Sequence, residues 1–290
     1  MKATPPDPSE PVSRRRRLSR SVRLAARSAN GALVEAALPD PRPPSLGLLL
    51  LETRAPLERA SLRYAGGLLK LAPRGDGHAV LVVPGFAGDA PSMSPLRTFL
   101  NQQGFVASDW GLGRNRGLVA GLMDRIVERL RELHATTGVP VSLVGYSLGG
   151  VFAREAAKCA PEAVRCVVSL ASPFAGTPTA NHAWQFYEMA CGHRVDTIDA
   201  ATRLALTRPP PVPTSSIFSR SDGVVHWRCC VQPPEPGTEN IEVVSSHLGL
   251  RHNPLVLYAV ADRLAQTKET WRPFGAPRGL RLLYPDPNRR

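Results

Sequence analysis

The sequence predicts an α/β fold: a mostly parallel sheet with helices on both faces and a short helical cap insertion. Three observations carry that prediction. His78-Ala79-Val80-Leu81-Val82-Val83-Pro84-Gly85 is a short, continuous apolar run, as expected of a strand covered on both faces. Segments with apolar residues at helical spacing separate such runs, which implies crossover connections and parallel strands. Finally, one glycine-rich turn, Gly145-Tyr146-Ser147-Leu148-Gly149, lies between a β-branched run and an alanine-rich helical pattern.

Taken in order, residues 1–20 hold Pro5, Pro6, Pro8 and Pro11 and then an arginine run, the composition of a disordered basic tail. Residues 21–76 read as a peripheral helical region. Leu24, Leu33, Val34 and Leu38 fit one helix face up to Pro39, and Pro41, Pro43 and Pro44 make a connector. Leu46 to Leu71 is again helix-like, through Leu48, Leu51, Leu57, Leu62, Leu68 and Leu69. The main domain is expected over 77–274. After its first strand come a helix over Pro91–Asn101 and a brief strand at Phe105–Ser108. A long amphipathic helix follows from about Asn115 to Thr137, with Leu118, Leu122, Ile126, Val127, Leu130 and Leu133 on one face. Val139–Val144 and Val164–Leu170 are strands on either side of the glycine-rich turn and its helix.

The stretch from Phe174 to Pro213 breaks this rhythm with two helix-like pieces, His182–Cys191 and Ile198–Leu206, and then three consecutive prolines. It reads as a cap above the sheet, whose Trp184, Phe186, Tyr187 and Met189 suit either a lid over an apolar pocket or the cap's own packing. Thr214–Ser219 and Ile241–Val244 complete the strands, Leu255–Gln266 is a closing helix, and 275–290 form a C-terminal tail.

The chain has 290 residues, with 43% hydrophobic and 21% charged, which suits a globular protein with a sizeable core. Its formal charge of +12 is unevenly placed: residues 1–27 hold eight Lys/Arg against Asp7 and Glu10, so half the excess sits in the tail. A nucleic-acid-binding core is therefore not indicated, while the tail could make weak electrostatic contact with an anionic membrane. No apolar run reaches the roughly 18 residues of a membrane span, and no signal-peptide core follows the arginines. A cytoplasmic location is the default expectation, although the Arg/Ser-rich start also matches an organellar transit peptide. The five cysteines form no Cys-x-x-Cys pair; a bridge from Cys191 to Cys229 or Cys230 is one alternative to free thiols. The histidines are too scattered to suggest a metal site, and neither a dinucleotide fingerprint nor a phosphate loop is present. No cofactor is expected.

The chemistry-bearing residues lie at the ends of strands. Gly-x-Ser-x-Gly between strand and helix is the context of a nucleophile elbow, with Ser147 presented above the sheet. A serine hydroxyl needs a neighbouring imidazole to take its proton and a carboxylate to orient that imidazole. Asp222 follows the strand ending near Phe218, and His247 follows the next strand, which gives the chain order Ser, acid, His. Asp196 and Asp199 are rival acids, and His252 is the rival base. Backbone N–H of Leu148, and of Phe86 in the loop after the first strand, are candidate donors to an oxyanion.

From about residue 78 to 274 the sequence resembles a serine hydrolase of the α/β-hydrolase fold, close to bacterial lipase/esterase-like members. The resemblance rests on Pro84-Gly85-Phe86-Ala87-Gly88, Gly145-Tyr146-Ser147-Leu148-Gly149-Gly150, Ser169 to Thr177, Ser221-Asp222-Gly223-Val224-Val225, and Ser246-His247. Pro84 stands where the family's oxyanion loop has a histidine, a departure that leaves the backbone donors in place. The resemblance implies ester hydrolysis through an acyl-enzyme on a small-molecule or lipid ester. An acyltransferase with the same triad, and a non-catalytic binding protein of the same fold, are the alternatives.

Overall fold

The computed structural model describes residues 41–177, 179–182, 184–191 and 199–288. The basic tail, the helix expected over 21–37, and Asp196 and Ile198 lie outside them, as do the side chains of Phe186 and Cys191. The described residues belong to one compact unit that begins at Pro39.

Three short helices come first: α1 (Leu46–Leu50), α2 (Ala55–Ser61) and α3 (Gly66–Lys70), with a 3-10 turn over Leu51–Arg54 between α1 and α2. The alternating part follows: β1 (Ala79–Val83), α4 (Ser94–Gln102), β2 (Val106–Asp109), α5 (Leu122–Thr137), β3 (Val141–Tyr146), α6 (Leu148–Cys159) and β4 (Val164–Leu170). The cap contributes α7 (Trp184–Cys191) and α8 (Ala200–Thr207), after which β5 (Thr214–Phe218), β6 (Thr238–Glu242) and α9 (Pro254–Leu264) complete the unit. The six strands form one sheet in the order β2-β1-β3-β4-β5-β6, and every pairing is parallel.

Because side chains alternate along a strand, each central strand feeds two cores. Val80 and Val82 of β1 and Val144 and Tyr146 of β3 pack with Leu96, Phe99 and Leu100 of α4 and with Val256 and Val260 of α9. Ala79, Leu81 and Val83, with Val141 and Leu143, pack against Ile126 and Leu130 of α5 and Phe152 and Ala156 of α6. Leu81, Leu143 and Val167 are fully buried, and each such side chain contributes about 1.5–3 kcal/mol by leaving water. The strands therefore read as unbroken apolar runs.

Two expected boundaries move. The long helix starts at Leu122 and not near Asn115, because Gly117 and Gly121 adopt φ of +84° and +72°. That left-handed conformation ends a helix or precedes one, and it leaves Leu118 exposed in a turn. The last strand covers Thr238–Glu242 and not Ile241–Val244. Its first residues pair with β5 at the sheet edge, where one side meets solvent and polar side chains are tolerated.

At the amino edge of the sheet, a chain of polar groups runs from the surface into the core. Arg165 donates to Asp76 at 2.7 Å, and the other Asp76 oxygen accepts from His78 Nδ1. His78 Nε2 then accepts from the Ser142 hydroxyl at 2.8 Å, and Cys166 Sγ lies 3.4 Å from that oxygen. Burial lowers the His78 pKa from 6.5, more than Asp76 raises it, and burial likewise lowers those of His226 and His252. A histidine held neutral by the fold takes up its proton less readily than in the unfolded chain. Its contribution is thus complete above pH 6.5 and declines as the pH falls through that value. Urea midpoints should be steady from pH 8 to about pH 6.5 and fall below it, and His78→Gln should flatten that fall.

Candidate active site

The carboxyl edge of the sheet gathers the candidate residues. β3 ends at Tyr146, and Ser147 follows with φ 52° and ψ −125°, a conformation strongly disfavoured for a residue with a side chain. The turn survives because its surroundings fix it. Ser147 N–H donates to Leu170 O of β4 at 2.8 Å, and Gly150 N–H donates to Ser147 O at 3.0 Å. The glycines permit the close approach. A Cβ on Gly149 would lie 2.4 Å from the carbonyls of Val83 and Pro84, and one on Gly150 would lie 1.9 Å from Ser172 Oγ. Gly85 packs on the serine itself, since a Cβ there would stand 3.1 Å from Ser147 Cβ.

The structure brings Asp222 and His247 together. Asp222 Oδ1 accepts from Val224 N–H and Val225 N–H, both at 2.8 Å, which orients the carboxylate. Its Oδ2 accepts from His247 Nδ1 at 2.7 Å. That bond fixes the tautomer with Nε2 as the acceptor, the form a general base requires. Both side chains are almost fully buried. The His247 ring lies 5.2 Å from the ring of Tyr146, whose hydroxyl donates to His247 O at 3.0 Å. Burial raises the Tyr146 pKa far above 10.0, so its hydroxyl stays a donor. The imidazole is therefore tied to the residue before Ser147. Among the described residues Ser147 Oγ makes no hydrogen bond to His247; in proteins without substrate this contact is commonly long and tightens on binding.

The rivals have other duties. Asp199 caps α8 by accepting from Thr202 N–H at 2.8 Å. His252 donates from Nε2 to Ala55 O of α2 at 3.2 Å. Cys229 and Cys230 are buried, and the Cys191 side chain, the other half of the expected bridge, lies outside the described residues. No group of His, Cys, Asp and Glu suited to a metal ion occurs among the described residues.

The loop after β1 bears Phe86, and Leu148 opens α6, where the first N–H groups of a helix have no acceptor within it. Asn115 holds the Phe86 loop on three bonds, a connection that the sequence reading did not find. Its N–H donates to Gly88 O and its carbonyl accepts from Ala87 N–H, both at 2.7 Å, while Nδ2 donates to Pro84 O at 2.8 Å. Ala87 accordingly sits at φ 58°. The cap reaches the same loop: the Tyr187 ring of α7 lies 5.1 Å from that of Phe86, and its hydroxyl accepts from Leu118 N–H at 3.1 Å. The fully buried Arg154 of α6 anchors the cap's base. It donates to Gln232 Oε1 at 2.9 Å and to the carbonyls of Thr207 and Arg208, with its guanidinium 3.8 Å above the Phe174 ring. Burial pushes that guanidinium down to about 10.

A six-stranded parallel sheet with a strained serine between β3 and α6, and an Asp–His pair beyond β5 and β6, defines a class of fold and a place for chemistry on it. Residues 80–285 match the model of the Alpha/beta hydrolase family, and the chain belongs to that family. Solved structures share the fold at low identity. The Bacillus licheniformis lipase BlEst2 in its mature form is 15% identical with a TM-score of 0.51, over 68% of this chain and 95% of that one. A structure from the metagenome-derived lipolytic enzymes LipS and LipT is 18% identical with a TM-score of 0.50, over 66% and 94%. Aspergillus fumigatus lipase B is 17% identical with a TM-score of 0.48, and only 58% of its length is spanned, by 70% of this chain. No curated protein matches the sequence.

The strain at Ser147 gives a stability test. Glycine adopts this conformation freely, so Ser147→Gly relieves about 1–3 kcal/mol of backbone strain against about 0.5–1 kcal/mol of added chain entropy. Urea unfolding of Ser147→Gly should show a more stable protein, whereas the same change at an ordinary loop serine should not.

Proposed function

We propose that the chain is a serine-dependent carboxylic ester hydrolase, lipase- or esterase-like. The observation that carries this reading is the His247–Asp222 bond, at the same sheet edge as the strained Ser147. Ser147 Oγ attacks the acyl carbonyl while His247 Nε2 takes its proton, and Asp222 holds the imidazole and balances the charge it acquires. Phe86 and Leu148 N–H hold the oxyanion of the tetrahedral intermediate. His247 returns the proton to the departing alcohol, leaving an ester on Ser147. Water, deprotonated by the same imidazole, then attacks that ester and releases the acid.

The contact of Tyr187 with Phe86 supports a substrate with an apolar acyl group, because it sets aromatic surface beside the candidate oxyanion loop. Leu118, Val119 and Met189 add exposed apolar side chains on nearby segments.

A fluorophosphonate probe should label the wild type at Ser147, with labelling lost in Ser147→Ala and kept in Cys159→Ala; a folded wild type that resists the probe would sink the reading. Asn115→Ala removes the Nδ2 bond to Pro84 O and keeps the two backbone bonds, so the loop that carries Phe86 loses one of its three ties. Since one misplaced oxyanion donor costs about 10²–10³ in rate, nitrophenyl ester assays should show kcat falling at least about 10-fold with KM little changed. Retention of full kcat by a folded Asn115→Ala would show that the Asn115 side chain does not position Phe86.

A further inference from the structure

The first described helices converge on the loops of Asp222 and His247. Glu52, in the 3-10 turn between α1 and α2, is buried and polar, with 7% of its surface exposed. Its Oε1 accepts from Gly223 N–H and from His247 N–H, both at 2.8 Å, and its Oε2 accepts from Leu248 N–H at 3.0 Å. One carboxylate therefore holds the residue after the candidate acid and the candidate base itself. Glu58 of α2 accepts from Ser246 N–H at 2.9 Å and from the hydroxyls of Ser245 and Ser246. Arg54 spans the two loops, pairing with Glu58 at 3.0 Å and donating to Ser221 O at 2.9 Å.

The loops are shaped for this contact. A Cβ on Gly223 would lie 2.2 Å from Leu48 O of α1, and one on Gly249 would lie 1.3 Å from Glu58 Oε2. Each loop thus has a glycine where a helix of the 46–61 segment presses on it. A buried carboxylate is costly unless it is fully hydrogen-bonded, and Glu52 meets that condition with backbone donors from both loops at once.

We propose that Glu52 is a positioning residue for the hydrolytic site, fixing the Asp222 loop against the His247 loop so that the imidazole keeps its alignment. This rests on the ester-hydrolase reading above. Glu52 touches no reacting atom; it acts through the backbone of Gly223 and His247. Glu52→Gln keeps the shape but sets an NH2 against Leu248 N–H, or in the flipped orientation against Gly223 and His247 N–H, so at least one backbone donor loses its acceptor and the grip on the two loops loosens.

The test compares Glu52→Gln with Asp76→Asn, which weakens the polar chain at the opposite sheet edge. Two readouts are taken: kcat and KM on a nitrophenyl ester, and the low-field proton NMR signal of His247 Nδ1–H. A displacement near 1 Å costs about 10²-fold in rate. Glu52→Gln should therefore lower kcat by about 10- to 100-fold with KM within about twofold, and broaden or shift the proton signal. Asp76→Asn should lower the melting temperature without altering either readout. An unchanged signal and kcat in folded Glu52→Gln would overturn the proposal, as would an equal kcat loss in both variants at matched stability. If Glu52→Gln does not fold, Glu52→Asp, which retracts the carboxylate by one methylene, is judged by the same criteria. A wild type that hydrolyses no ester but shows the signal, lost in Glu52→Gln, would refute the hydrolase reading and leave the positioning role standing.

Discussion

The backbone conformation of Ser147 is the constraint on which the rest of the carboxyl edge depends. Holding a side chain at φ 52° requires close packing from every direction. β1 supplies it through the Val83 and Pro84 carbonyls, β4 through Leu170 O, and the residues beyond β4 through Ser172. These contacts need glycine at 145, 149 and 150, and they need the central strands in their observed register. An error in the pairing of β1 with β3 would shift Gly85 away from Ser147, separating the two loops that meet there. The apolar cores on both faces therefore do more than hold the sheet together: they maintain the fit that keeps one unfavourable turn in place.

Around that rigid centre the connections are polar, and each uses a single side chain to join pieces distant in sequence. Asn115 joins the end of the β2–α5 connection to the β1 loop, and Arg154 joins α6 to both ends of the cap. Glu52 joins the early helices to the loops of Asp222 and His247. All three are buried, and all three bond chiefly to backbone groups. Such links are directional and cost stability when one partner is missing, so they specify an arrangement more strictly than apolar contact does.

The amino-edge chain of Asp76, His78 and Ser142 sharpens the reading of the other edge. It has the residue types and hydrogen bonds of a nucleophilic triad, yet Ser142 is fully buried near the start of β3. What distinguishes Ser147 is its turn, its partial exposure and the N–H groups around it. Much of this was legible in the sequence: apolar runs located the central strands, and the glycine spacing located the elbow. The start of α5 was misread because the apolar periodicity continues through Leu118, while Gly117 and Gly121 turn the chain. Thr238 to Asn240 gave no strand signal, since a sheet edge accepts polar side chains. Glu52 and Asn115 left no trace because their partners are backbone groups, which every residue possesses. For Glu52 those partners lie 171 and 195 residues away, beyond the reach of any local pattern.

That separation also orders events during synthesis. At about 5–20 residues per second, Glu52 is made roughly 10–40 s before the His247 it contacts. Its carboxylate stays hydrated until the sheet has grown as far as β6. The backbone donors that Glu52 accepts from, on Gly223 and His247, do not exist until the chain has passed β5 and β6. A ribosome-bound chain that stops short of His247 would carry the Ser147 turn and its glycines without the imidazole beyond β6.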